Sequence, residues 1–144
     1  MGARAACQSP DGQLMGAVVL DTTVLIDVLR GRPAADRVRD LLAARDTLLT
    51  TAINVEEIIR GLRDAEAAAA NALFAGLRVL PIRREDGERA GRWRGEFARR
   101  GITLHQADCL VAAAAVGLRA RLATGSPKDF PMPELSVEEW PVGR

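Results

Sequence analysis

With 144 residues the chain is sized for one domain with a core of its own. Its formal net charge of +1 excludes the overall basic field that by itself marks a nucleic-acid binder. Two distant cysteines, Cys7 and Cys109, form neither a disulfide framework nor a zinc spacing, and no apolar run is long enough to span a membrane.

Residues 1–16 are polar, non-periodic and broken by Gly and Pro, and they lack the apolar centre of a signal peptide. They read as a flexible N-terminal extension ahead of a domain over 17–144, and the whole as a cytoplasmic protein. Ala17 to Leu20 is a short Val-rich apolar run, the pattern of a buried strand. Asp21 ends it, Thr22 and Thr23 can cap a helix, and Val24, Leu25, Val28 and Leu29 recur at helical spacing before Arg30-Gly31. Pro33 opens a second helix to about Ala44, with Val38, Leu41 and Leu42 inward. Thr47 to Thr51 is a second strand. Asn54 starts a third helix, with Val55, Ile58, Ile59 and Leu62 as its apolar stripe.

Ala65 to Ala75 is an alanine-rich helix closed by Gly76, and Leu77 to Ile82 a third strand whose Pro81 suits an edge. Arg84 to Arg100 is a charged helix with Ala90, Trp93 and Phe97 on one face. Thr103 to Gln106 resembles a capping box for a helix reaching Gly117; its run from Cys109 to Leu118 is apolar on every side, as for a helix buried all round. Arg121 to Ala123 is a fourth strand, Thr124 to Pro133 a Gly/Ser/Pro loop, and Trp140 sits in a short C-terminal piece. Strands alternating with helices predict an α/β domain, a mainly parallel sheet of four to five strands with helices on both faces.

Four acids stand out by position. Asp21 and Asp129 follow strand ends; Glu57 and Asp108 lie near the starts of helices. Each has an ordinary explanation: Asp21 as a helix cap, Glu57 as the partner of Asn54 in a capping box, Asp108 as a helix-start acid, Asp129 as a loop acid. Glu56 competes with Glu57 on spacing alone. Together, however, the four positions belong to one rim of a parallel sheet. Carboxylates gathered there repel one another unless a hard divalent cation sits among them, which points to Mg²⁺ or Mn²⁺ and phosphoryl chemistry. Thr22, Thr124 and Ser126 add hydroxyls. His105, the sole histidine, reads as a cap neighbour and Cys109 as a core residue. Arg30, Arg32 and Arg60 lie near the rim, and guanidinium forks suit phosphates.

VLDTTVLIDVLRG at 19–31, TAINVEEIIRGL at 51–62, ADCLVAAAA at 107–115 and LATGSPKDF at 122–130 together resemble the PIN-domain ribonucleases, specifically the VapC toxins of toxin–antitoxin pairs. The resemblance implies a PIN-like three-layer α/β/α fold and an endoribonuclease dependent on Mg²⁺ or Mn²⁺. It implies Asp21, Glu57 rather than Glu56, and Asp108 as metal ligands, with Asp129 as the fourth acid. RNA as substrate, a homodimer and a VapB-like antitoxin covering the acidic cleft are implied as well. Thr23 replaces the family's usual Asn or Ser, and Ser126 stands where Asn or Asp is common, so either Ser126 or Asp129 completes the fourth corner. Two other readings compete. A haloacid-dehalogenase-type phosphatase needs a second acid at the position of Thr23, and a PIN-like scaffold without catalysis would have no use for the acid set.

Overall fold

The computed structural model describes residues 16–31 and 33–142; of the extension predicted over 1–16, residues 1–15 lie outside them, as does Arg32. Strand β1 (Ala17–Leu20) leads into helices α1 (Thr22–Leu29) and α2 (Pro33–Ala43), then β2 (Thr47–Thr51), α3 (Ala52–Arg60) and α4 (Ala67–Ala75). β3 (Arg78–Leu80), α5 (Arg84–Ala98), α6 (Gln106–Leu118), β4 (Arg121–Thr124) and β5 (Val137–Glu139) complete the chain. All five strands are parallel, in the order β3-β2-β1-β4-β5. The chain steps outward from β1 through β2 to β3, then returns to the other side of β1 with β4. That reversal lies between β1 and β4, and in open parallel sheets the crevice beyond the strand ends at such a point is where ligands bind.

The central strand is buried on both faces, its four residues at most 6% exposed, as a parallel sheet between helical layers requires. Side chains alternate across it. Ala17 and Val19 face one core, with Leu49, Leu122, Trp93 and Phe97 of α5 and the alanines of α6. Val18 and Leu20 face the other, with Val24 and Leu25 of α1, Val38 of α2, Ile58 of α3 and Trp140. Among the described residues no helix is long and apolar enough to cross a membrane.

Several expectations are corrected. α3 begins at Ala52, capped by Thr51, so Asn54 is its third residue and not its cap. The alanine-rich helix begins with a 3-10 turn at Asp64–Glu66, and β3 is only three residues long. β5 escaped the sequence reading because three residues, VEE, carry no usable alternation. The expected capping box at Thr103–Gln106 does not form: the cap of α6 is His105, with no side-chain bond. α6 is not enclosed on every side either, since Gly117 is exposed and Leu110, Val116 and Leu118 are half-buried. Leu42 and Ile59, expected inward, are half exposed (51% and 50%), because both helices are covered along a narrower stripe than their apolar residues span. The turn after α1 follows the sequence: Gly31 takes φ +64°, a conformation glycine adopts without penalty.

Candidate functional site

Asp21 sits one residue beyond β1, and its backbone N–H extends the ladder by donating to Ala123 O at 3.0 Å. It occupies the cap position of α1, yet its side chain makes no capping hydrogen bond. The carboxylate turns instead into the crevice between β1 and β4. There Oδ2 accepts from Thr124 Oγ1 at 2.8 Å and Thr23 Oγ1 at 3.2 Å, and Oδ1 accepts from Asn54 Nδ2 at 3.4 Å. Capping therefore does not account for Asp21. Burial raises its pKa; hydrogen bonds from the Thr124 side chain, the Thr22 backbone and the Thr23 side chain partly offset this, and the Glu57 charge adds to the rise.

The loop after β4 is strapped to the same cluster. Gly125 N donates to Thr23 Oγ1 at 2.9 Å, and Ser126 N to Thr124 Oγ1 at 3.0 Å. Thr23, read in the sequence as a possible cap and as a departure from the family pattern, thus joins the start of α1 to the far side of the switch.

Glu57 accepts from Thr22 Oγ1 at 2.7 Å. The capping-box explanation for Glu57 fails, because the reciprocal box is made by Thr51 and Asn54. Glu56 is exposed and lies 3.9 Å from Arg60 on the next turn, so the two neighbouring acids face different surroundings.

Asp108 lies in the first turn of α6, half-buried. Its pKa is pushed up to about 6, first by burial, then by the negative charges of Asp21, Asp129 and Glu57, with His105 opposing. One group thus senses the charge of the other three acids. Asp129 is exposed at the end of a 3-10 turn over Pro127–Asp129 that begins after Ser126. No hydroxyl or amide among the described residues holds the Asp108 or Asp129 carboxylate.

A hard divalent cation fits the donor set, which is carboxylate and hydroxyl oxygen throughout. Cys109 is excluded from it, being fully buried on the α5–α6 side of the sheet. Among the described residues no three His, Cys, Asp or Glu side chains stand as a ready ligand group. Arg30 lines a groove together with Ile26, Leu29, Ile58, Leu62 and Glu57. Arg60 is exposed beside Glu56.

The sequence reading missed Asn54 as a site residue. It is fully buried, in contact with Asp21, Thr22 and Thr51. Its signal was present, since it precedes Glu57 by three residues and so shares a helix face with it.

Residues 18–129 match the family model described as PIN domain, a span that holds all four acids. Ribonuclease VapC19 of Mycobacterium tuberculosis is 34% identical over 119 residues, covering 79% of this chain and 92% of that protein. The structure of VapBC-1 from nontypeable Haemophilus influenzae has a TM-score of 0.74 at 26% identity, covering 86% of this chain and 98% of that one. DNA-bound VapBC from Salmonella typhimurium shares the fold with a TM-score of 0.75 at 23% identity, over the same shares of the two chains.

Proposed function

Because the chain belongs to the PIN-domain family, within its VapC ribonucleases, we propose that it is the toxin of a toxin–antitoxin pair, an endoribonuclease that hydrolyses RNA phosphodiester bonds at the Asp21 rim. The observation that supports this reading is that the Asp108 carboxyl feels the negative charges of Asp21, Asp129 and Glu57, with Asp21 at the switch of the sheet. Two of these acids, Asp21 and Glu57, have lost their capping explanations.

Asp21, Glu57 and Asp108 would hold Mg²⁺ or Mn²⁺, with Asp129 or Ser126 completing the set. Such a cation, when bound, polarises a phosphoryl oxygen and acidifies a bound water. The chain's residues do the rest. Thr124 and Thr23 fix the Asp21 carboxylate in place, and Thr22 orients Glu57. Asp21 or Asp108 would also orient the attacking water. Arg30 and Arg60 are exposed cations near Glu57 that suit RNA phosphates, and Arg32, two residues after Arg30, is assigned the same role.

The partner follows from the relatives. The Haemophilus and Salmonella structures carry the VapBC name, and a VapB-like antitoxin is assigned to this chain, with a homodimer as its own assembly. The test is RNA cleavage by purified protein with added Mg²⁺ or Mn²⁺. Loss of cleavage in Asp21→Asn and Asp108→Asn, together with loss of Mn²⁺ binding by calorimetry, is expected. Cleavage at the wild-type rate in either variant would remove the proposed mechanism.

A further inference from the structure

Asn54 is fully buried, and its hydrogen bonds have a fixed direction. Thr51 N, which can only donate, points at Asn54 Oδ1 at 3.2 Å, and Thr51 Oγ1 donates to the same oxygen at 2.7 Å. That settles which end of the amide is which. Nδ2 then faces the rim, donating to Thr22 Oγ1 at 3.0 Å and to Asp21 Oδ1 at 3.4 Å. Thr22 has a single hydroxyl proton. Since it accepts from Asn54, that proton goes to Glu57 Oε1, at 2.7 Å. A one-way chain therefore runs from Thr51 through Asn54 and Thr22 to Glu57, with a branch to Asp21.

A role in capping alone does not require this. The third residue of a capping box needs only an acceptor for the cap's N–H, which Asn54 Oδ1 supplies. The two N–H bonds of Nδ2 are additional, and both reach the acidic crevice.

We propose that Asn54 is a positioning residue for the metal-binding rim, its side-chain amide setting through Thr22 the orientation in which Glu57 presents its carboxylate beside Asp21. The inference rests on the metal-dependent reading of the rim. Donor groups one step removed from metal ligands typically govern affinity by about 10–100-fold when lost.

The experiment is a mutant cycle read by Mn²⁺ calorimetry on the whole protein without RNA. Asn54→Ala and Thr22→Val are each expected to weaken Mn²⁺ binding about 10-fold or more. The double variant is expected to be no weaker than the worse single one, because both cut the same chain. Thr22→Val leaves the Thr51–Asn54 cap intact, so it reports on the link to Glu57 even if Asn54→Ala folds poorly. Unchanged Mn²⁺ affinity in Thr22→Val, or independent losses that multiply in the double variant, would overturn the inference. Asn54 would then be a cap only, lowering the melting temperature without touching affinity. Failure of the parent reading looks different: wild type and Asp21→Asn would bind Mn²⁺ equally or not at all, and the inference would fall with it.

Discussion

The two halves of the acidic rim are built differently. On the α1–α3 side, Asp21 and Glu57 are held by hydroxyl and amide donors from four residues, Thr22, Thr23, Asn54 and Thr124. On the α6 side, Asp108 and Asp129 have no such support, and Asp108 meets mainly burial and like charge. The supported half stores order in neutral hydrogen bonds. The unsupported half stores electrostatic cost, which a bound cation relieves. A site divided in this way has a preset anchor and a responsive arm.

The largest expected effect lies at the anchor and at the strongest charge on the arm. Asp21→Asn and Asp108→Asn should each lower RNA cleavage about 10²–10⁴-fold, measured with Mn²⁺ in excess. Recovery of one variant but not the other at high Mn²⁺ would rank the two halves as ligands.

Next come the paired acids of α3. Glu57→Gln should cost about 100-fold in activity, whereas Glu56→Gln should lose less than about twofold, since its exposed contact with Arg60 is worth little. Comparable losses in the two would show that the orientation imposed by Thr22 has no bearing on the reaction.

Smaller again is the effect of the strap. Thr124→Val removes the 2.8 Å donor to Asp21 and leaves its oxygen buried. A stability loss of about 1–2 kcal/mol by denaturant titration at pH 7 is expected, the net contribution of one hydrogen bond to a carboxylate that keeps its Thr23 donor. A value near zero would mean that Asp21 does not depend on the strap.

The smallest effect is a pH slope. The folded pKa of Asp108, about 6, lies above its reference value of 3.8, so the folded state holds more protons than the unfolded one in that window. Stability without divalent ions should therefore fall as pH rises through it. Asp108→Asn should abolish that part of the slope and raise the melting temperature at pH 7.5 by on the order of a few °C. Identical slopes in the two proteins, in chelator, would mean that the arm carries no such cost.

Much of the scaffold was legible because its signals are local. The strand at Ala17–Leu20, Pro33 at a helix start and the glycines after helices each announce themselves within a few residues. The acids suggested themselves as a set because strand ends and helix starts in a parallel sheet share one rim. Legibility failed where partners are distant. The three-residue spacing to Glu57 puts Asn54 on the same helix face, but does not tell that its amide reaches across to α1. Thr23 looked like a substitution, although its hydroxyl meets Gly125 from the other side of the switch. β5 was invisible because its stability comes from pairing with β4, not from its own three side chains.

The placement of β1 at the centre of the sheet bears on how the protein is made. Its neighbour β4 lies far along the chain, with register pairs such as Val19 and Leu122. A ribosome-bound nascent chain lacks β4 and the acids beyond α5 until those segments have left the exit tunnel. If all four acids are needed, a product truncated ahead of Asp108 cannot assemble a working site, however well its first three strands pair.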